Sequence, residues 1–305
     1  MRPTLADRAE YLLFAGATGL GIRLGPAAAD RLGSWLGGVA YHLLRTRRSV
    51  VEEQLRLAFP DRDAAWVRAT AAACYRHLGR EALAMLRLAG ATPAGIVERT
   101  CVAGLEQLER VLAAGRGAVI VTGHLGNWEI GAAALVARGI PIDGFAQMQR
   151  NPLVNRAILE ARARLGLRVF DRRGAIRRSL EALREGRVPG FVADQDARRA
   201  GVFVPFFGRL ASTSPGPALV AIRAGVPLFI GIVLRRPDGR YDVRLEELES
   251  DRSGPRDAAV ERLTAAFTAR LEAAVREAPG QYFWLHRRWK TRPRKELGET
   301  GGSIT

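Results

Sequence analysis

Cysteine is scarce in this sequence. Cys74 and Cys101 are the only two cysteines in 305 residues, and they do not form a CxxC motif. Two cysteines are too few for a disulfide scaffold or for a four-cysteine zinc site. We therefore expect two reduced, buried thiols, which favours a reducing compartment.

Lysine is almost absent as well. Only Lys290 and Lys295 are lysines, so nearly all of the 47 basic side chains are arginine. Set against 31 acidic residues, they give a formal net charge of +16. This charge favours an anionic partner and leaves four classes open: nucleic acid, an anionic lipid, a phosphorylated substrate and an acidic protein.

The N-terminal part has no long uninterrupted apolar run. Tyr11–Gly25 and Leu32–Leu44 are rich in small and apolar residues, but Arg23 interrupts the first, and each run falls short of about 18 residues. There is no clear signal peptide pattern either. An arginine-rich stretch follows at residues 45–48. Two hypotheses remain open: residues 1–45 lie in a membrane interface, or they form a helical hairpin packed on the protein's own core.

From about residue 117, short apolar runs alternate with helical patterns. Such alternation predicts an α/β fold for residues 46–293, with a largely parallel central sheet flanked by helices. A turn near Arg236 leads into a predicted edge strand, and the polar tail 294–305 is expected to be disordered. Strands are predicted at 117–122, 142–147, 167–170, 189–194 and 226–236, and helices at 61–88, 127–138, 152–165, 175–185, within 212–225, and at 257–277.

Charged residues follow the predicted strands. In open α/β sheets ligands bind beyond the carboxyl ends of the strands, so these residues are candidates for one site. His124 and Glu129 follow the first strand, Arg150 the second, Arg172 and Arg173 the third, and Asp194 the fourth.

His124 and Glu129 form the first candidate pair. Five positions on one helix are about 140° apart, so the two side chains can meet only if His124 lies in the turn before the helix. Gly126 permits such a turn, and Asn127 suits the N-cap position. A histidine held by a carboxylate has the geometry of a general base. The alternative is a hydrogen-bonded histidine at a strand end. A metal site is disfavoured, because no second histidine lies nearby in the sequence.

Several segments resemble one enzyme family. "GHLGNWE" (123–129) resembles the HX4D/E signature of glycerolipid-type acyltransferases, and in detail the late lauroyl and myristoyl transferases of lipid A biosynthesis. "EQLRLAFPD" (53–61), the segment Ala193–Leu228 and "YFWLHRRWKTRP" (282–293) are similar to further blocks of that family, in the same order. The resemblance covers about residues 35–293.

This resemblance implies transfer of a fatty acyl chain to a hydroxyl of a lipid A precursor at the cytoplasmic face of the inner membrane. The expected donor is acyl carrier protein or acyl-CoA, with no other cofactor. His124 corresponds to the general base, Glu129 to its partner, and Asp194 to an aspartate of the family. Arg150 and Arg172 correspond to basic residues near phosphate or the acyl carbonyl, although Met148 stands where an aromatic residue is commoner.

Other residues complete the hypothesis. Backbone N–H groups near Gly126 and Asn127, together with Arg173 and Asp194, are further candidates for binding substrate. Phe203, Phe206 and Phe207 either pack in the core or form a wall of the acyl-chain pocket.

Three alternatives stay open at this point. The acceptor could be another glycolipid, such as a phosphatidylinositol mannoside, with acyl-CoA as donor. The positive charge could serve nucleic-acid binding, although no recognised module is present and the resemblance implies no nucleic-acid partner. Trp284 and Trp289 could be interfacial membrane anchors.

Overall fold

Strands and helices alternate from residue 100 onward in the computed structural model, which describes residues 3–249 and 251–293. The tail 294–305 lies outside the described residues. The strands are β1 (Thr100–Ala103), β2 (Val119–Thr122), β3 (Ile142–Ala146), β4 (Arg168–Asp171), β5 (Val188–Val192), β6 (Val202–Phe206), β7 (Arg209–Thr213), β8 (Leu228–Arg235) and β9 (Tyr241–Leu248).

The helices cover both the N-terminal part and the faces of the sheet. A π-helical turn (Ala40–Leu44) extends the second helix. The α-helices are α1 (Leu5–Arg23), α2 (Pro26–Val39), α3 (Arg48–Ala58), α4 (Ala64–Arg87), α5 (Pro93–Glu98), α6 (Leu105–Ala113), α7 (Trp128–Val136), α8 (Pro152–Arg164), α9 (Ala175–Arg184), α10 (Gly216–Ala224) and α11 (Arg256–Glu277).

Seven strands form one sheet in the order β1-β9-β8-β2-β5-β3-β4. The five strands from β8 to β4 in this order are parallel, whereas β9 pairs antiparallel with β8. A separate hairpin is formed by β6 and β7. The predicted α/β fold with a mostly parallel sheet flanked by helices is confirmed.

The predicted edge strand is not at the edge. β9 has β8 on one side and β1 on the other, where Val102 is opposite Val243. β1 has only four residues, which is too short to show a strand period in the sequence. The expectation of two buried thiols is also wrong for one of them, because Cys101 on β1 is exposed and only Cys74 is buried.

Alternating side chains of the sheet pack against two helical layers. In β2, Val119 and Val121 join a core cluster with α10 and α11, whereas Ile120 points to the opposite cluster with α6 and α7. This period of two is the geometry of a strand buried on both faces. The site at the strand ends is therefore supported by a three-layer sandwich.

Helix α2 packs on the body of the protein through glycines. A Cβ atom at Gly33 would lie 2.6 Å from the carbonyl oxygen of Gly79 in α4, and one at Gly37 would lie 2.0 Å from that of Tyr75. Such close backbone contact is possible only without side chains. This packing is what the hairpin hypothesis predicted for Leu32–Leu44. Among the described residues, no helix combines the length and apolarity needed to cross a membrane.

We predict opposite effects for two adjacent substitutions in α2. Gly37→Ala should destabilise the protein by about 1–3 kcal/mol, since its methyl group would collide with the backbone of α4. Gly38→Ala meets no atom within 4 Å, and it should be neutral or stabilise the helix by up to about 1 kcal/mol. Thermal unfolding of both variants measures the difference. Equal stabilities would contradict the close packing of α2 on α4.

Candidate active site

His124 and Asp194 face each other from two neighbouring strands. β2 and β5 pair with Thr122 opposite Val192, so the residues that follow these strands also lie side by side. The backbone N–H of His124 donates to Oδ2 of Asp194 at 2.8 Å, and Nδ1 of the ring lies 2.6 Å from Oδ1. Two hydrogen bonds to one carboxylate fix the orientation of the imidazole.

The turn that carries His124 depends on two glycines. Gly126 has a φ of +60°, and a Cβ atom there would lie 1.8 Å from the carbonyl oxygen of Val233. A Cβ atom at Gly123 would lie 2.7 Å from Leu271 and 3.1 Å from the carboxylate of Asp194. The glycines therefore permit the tight turn and bring the backbone close to Asp194.

A C-terminal segment holds the same turn from outside the sheet. The N–H of Phe283 donates to the carbonyl of His124 at 2.9 Å. The N–H of Gly126 donates to the carbonyl of Gln281 at 3.0 Å. The side chain of Gln281 in turn bonds the backbone of Arg235, at the end of β8. Phe283, in the segment that resembles a family signature, and Gln281, just before that segment, thus fix the position of His124.

The charge state of the pair follows from burial and mutual attraction. Burial alone would lower the pKa of His124, but the charge and hydrogen bond of Asp194 outweigh it and raise that pKa above its ordinary value. Burial would raise the pKa of Asp194, but the charge and hydrogen bonds of His124 lower it to about 2. Asp194 is therefore ionised at neutral pH and holds the proton of the ring on Nδ1.

The other ring nitrogen contacts an exposed side chain. Nε2 of His124 is 3.4 Å from the side-chain nitrogen of Gln195, which is exposed. The histidine side chain itself is 19% exposed, and its ring packs against the edge of Trp128. The ring is thus oriented at Nδ1 by a carboxylate and presents Nε2 beside an aromatic wall. This is the geometry of a general base.

The structure does not show the expected contact between His124 and Glu129. Glu129 lies in the first turn of α7, and its carboxylate binds the guanidinium of Arg162 in α8 through two hydrogen bonds, one of them 3.0 Å long. The five-residue spacing places His124 in the strand-end turn but directs Glu129 toward α8. The partner of His124 is Asp194, which the strand-end pattern had grouped with the substrate-binding residues.

An apolar cavity of about 110 Å³ opens beside the pair, between the sheet and helices α7 and α8. Thr122 and Trp128, which flank the histidine turn, line it, and the Glu129–Arg162 ion pair lies in its wall. Four glycines leave room for it, because larger side chains on these strands and on α7 would fill the space. They are Gly131, Gly144, Gly190 and Gly231.

The three phenylalanines assigned to the acyl-chain pocket do not line this cavity. Phe206 and Phe207 are buried on the other face of the sheet, where they pack against Trp289 and Trp284. Phe203 is half-buried in β6. The core-packing alternative therefore describes Phe206 and Phe207. The two tryptophans are buried as well, which contradicts the hypothesis that they are interfacial anchors.

The candidate substrate arginines lie on the same sheet edge but away from His124. Arg150 follows β3, and Arg172 and Arg173 follow β4, two and three strands from β2. At about 4.8 Å per strand, the lateral separation is roughly 10 to 14 Å. All three side chains are exposed. The structure thus brings Asp194 to His124 and leaves the arginines at the periphery of the same edge.

Gly126 and Asn127 have structural partners. The N–H of Gly126 is bonded to Gln281, so it is not free to stabilise an oxyanion. Asn127 is buried as the N-cap of α7, where its side chain accepts the N–H of Ile130 at 3.0 Å, as the N-cap prediction required. Its amide nitrogen donates to buried Glu81 at 2.7 Å. Both residues therefore shape the turn that carries His124.

A histidine with an ionised carboxylate partner, at a strand end beside an apolar cavity, is an arrangement typical of enzymes that act on apolar substrates. The chain belongs to the bacterial lipid A biosynthesis acyltransferase family, whose model matches residues 5–291. The protein is accordingly an acyltransferase, which favours the enzyme hypothesis over the nucleic-acid-binding hypothesis.

Several relatives show how far the likeness extends. The chain is 32% identical over 267 residues to the lipid A biosynthesis lauroyltransferase of Escherichia coli (strain K12), covering 86% of this chain and 85% of the relative. It is 29% identical over 268 residues to the palmitoleoyltransferase of the same organism, with the same coverage. It is also 30% identical over 221 residues to the phosphatidylinositol mannoside acyltransferase of Mycolicibacterium smegmatis (strain ATCC 700084 / mc(2)155), covering 71% and 70%.

We predict that two carboxamide substitutions separate the roles of the acids. Asp194→Asn removes the charge that raises the pKa of His124, so burial should dominate and the histidine should titrate at lower pH. Glu129→Gln should leave that titration unchanged, because Glu129 binds Arg162. NMR titration of the His124 ring measures both. If the pKa of His124 shifts in Glu129→Gln but not in Asp194→Asn, Glu129 is the partner of His124, as the sequence analysis expected.

Proposed function

We propose that this protein transfers a fatty acyl chain from an acyl thioester to a hydroxyl group of a phosphorylated glycolipid, a lipid A precursor. The observation that carries the proposal is the juxtaposition of the His124–Asp194 pair with the apolar cavity beside Trp128. A base suits the hydroxyl acceptor, and an apolar cavity suits the acyl chain. Membership of the lipid A acyltransferase family supports the same reaction.

His124 acts as the general base in this mechanism. Nε2 accepts the proton of the acceptor hydroxyl as its oxygen attacks the thioester carbonyl, and a tetrahedral intermediate forms. The intermediate collapses with cleavage of the carbon–sulfur bond, and the proton on Nε2 passes to the departing thiolate. The products are one ester and one free thiol, and His124 returns to its neutral form.

Asp194 orients the base and stabilises its charged form. Its carboxylate holds Nδ1–H, so the neutral ring presents a lone pair at Nε2. When the ring takes up a proton, the adjacent ionised carboxylate stabilises the imidazolium. Because protonated His124 is not a base, the rate should fall as pH drops through its raised pKa.

The cavity accommodates the acyl chain in this proposal, with the thioester carbonyl near Trp128 and the chain between the sheet and α7. Methylene groups prefer this apolar lining to water. The Glu129–Arg162 ion pair fixes the wall where α7 meets α8. Arg150, Arg172 and Arg173 are exposed on the same edge of the sheet, where they suit the phosphates of the larger acceptor.

In this proposal the N-terminal helices bind a membrane surface. Most of the large apolar side chains that are highly exposed among the described residues lie in α1, α2 and the π-helical turn, while Met85, Val97 and Leu210 are elsewhere. Arg45 and Arg47, which follow directly, are exposed too. Exposed apolar groups next to arginines suit an interface with anionic lipid at the cytoplasmic face of the inner membrane. Those side chains are Leu5, Leu12, Leu13, Leu20, Ile22, Trp35, Leu36, Leu43 and Leu44.

Donor and acceptor each have a second candidate. Acyl carrier protein is the favoured donor, since an acidic carrier complements a chain of net charge +16; acyl-CoA is the alternative. A phosphatidylinositol mannoside is the second candidate acceptor, because a relative of 30% identity is named for that substrate.

We predict that His124→Ala lowers acyl transfer by about 10²–10⁴-fold at unchanged expression, since it removes the general base. Wild type and variant are compared in a host that lacks its own late acyltransferase, with mass spectrometry of lipid A as the readout. Wild type should add the mass of one fatty acyl group. Unchanged lipid A with altered glycolipids would select the second acceptor, and full activity of the variant would exclude the mechanism.

We also predict that Gly190→Val shifts the preference toward shorter acyl chains. A Cβ atom at Gly190 would lie 3.5 Å from Ile142, an ordinary contact, so the added methyl groups should occupy the cavity. The transfer rate with a long thioester relative to a short one should fall by about tenfold or more. Phe203→Leu, outside the cavity lining, is the control. A shift with Phe203→Leu alone would place the chain against the β6–β7 hairpin.

A further inference from the structure

A second concave surface lies apart from the cavity described above. It is an open groove of about 810 Å³ between helix α2, helix α4 and the turn that joins β8 to β9. We call it the arginine groove, because Arg31, Arg76, Arg80, Arg235 and Arg236 line it. Asp30 is the single acid in the lining.

The charges of the arginine groove are only partly balanced. Arg235 is bound by Asp30 and by Glu81, and Arg236 binds Asp242 at 2.9 Å. Within the described part of the chain, Arg80 donates only to the hydroxyl of Ser34, a neutral group, at 3.2 Å.

Two further arginines have no partner at all among the described residues. The side chains of Arg31 and Arg76 form no hydrogen bond and no ion pair within residues 3–249 and 251–293. The groove therefore presents three uncompensated guanidinium groups in a concavity. Guanidinium groups suit phosphate oxygens, to which each can donate two parallel hydrogen bonds.

The rim of the arginine groove is apolar and exposed. Trp35 is 63% exposed and Leu43 is 75% exposed, and both line the groove. Leu36 and Leu44, their neighbours in sequence, are exposed as well. An indole and leucines beside a cluster of cations are the groups that enter the boundary between lipid head groups and acyl chains.

We propose that the arginine groove binds the phosphate of an anionic membrane phospholipid, with Arg31, Arg76 and Arg80 on the phosphate and Trp35 and Leu43 in the adjoining acyl layer. The juxtaposition of uncompensated arginines with exposed apolar side chains favours a lipid over a soluble phosphate. This site goes beyond the proposed reaction, because its occupant is not the molecule that is acylated.

The groove is connected to the histidine turn by hydrogen bonds. Arg235 lies in the groove lining, and its backbone N–H donates to the side chain of Gln281 at 2.8 Å. The carbonyl of Gln281 accepts the N–H of Gly126 at 3.0 Å. A lipid held in the groove would thus orient the active-site edge relative to the membrane without entering the reaction.

Binding of the full chain to vesicles tests this proposal. The probes are vesicles of phosphatidylcholine alone and vesicles with a fixed fraction of phosphatidylglycerol, at physiological ionic strength. The double variant Arg31→Gln/Arg76→Gln should bind the anionic vesicles about 30-fold more weakly than wild type. Neither substitution removes an interaction among the described residues, so thermal unfolding should be unchanged. Trp35 fluorescence should shift to the blue on binding in wild type.

A matched pair of charges provides the control. Arg116 and Arg223 are exposed, have no side-chain partner in the described part of the chain, and precede β2 and β8 at the opposite edge of the sheet. Arg116→Gln/Arg223→Gln should change vesicle binding by no more than about twofold, because charges beyond a Debye length contribute little. Equal losses in both double variants would overturn the proposal, since net charge alone would explain them.

A second arm distinguishes the source of the phosphate. Inorganic phosphate is titrated into wild type and the groove variant, with thermal unfolding as the readout. If phosphate stabilises wild type through Arg31 and Arg76 while vesicle binding does not depend on them, the groove is a small-anion site and the proposal is wrong. These outcomes are independent of the proposed acyl transfer, because none of them uses His124.

Discussion

The two hydrogen bonds between His124 and Asp194 are the constraint around which the candidate active site is organised. They exist because β2 and β5 are neighbours in the sheet, which brings two residues 70 positions apart to the same edge. Buried Asp194 stays charged mainly because the imidazole compensates it, with a further contribution from the charge of Arg288, and the imidazole in turn is kept in the tautomer with its lone pair at Nε2. Each group therefore sets the protonation state of the other.

The two faces of the sheet differ in how densely they are packed. On one face, large side chains such as Phe206, Phe267 and Trp284 fill the core and hold the C-terminal segment against the histidine turn. On the other face, glycines leave a cavity beside Trp128. Dense packing on one side thus supports an open space with a rigid wall on the other.

Helix α2 has one side packed on the protein and one side exposed. Helix α2 is fixed to α4 by backbone contact at Gly33 and Gly37. Its outer side, with Trp35 and Leu36, stays exposed. The sequence left a membrane segment and a packed hairpin as alternatives, but one helix can satisfy both, because a helix has two sides. The close contact with α4 explains Gly33 and Gly37 in the second apolar stretch.

After residue 116 the sequence by itself determined the strands and helices other than the β6–β7 hairpin, the position of His124 in a strand-end turn, and the N-cap at Asn127, because these depend on local period and local backbone chemistry. It also carried the family signature. Only the tertiary structure decided that Asp194 rather than Glu129 holds the imidazole, that Glu129 binds Arg162, and that Phe206 and Phe207 lie in the core away from the cavity. Strand order and helix packing bring distant residues together, and a linear pattern of polar and apolar residues does not encode which strand becomes the neighbour of which.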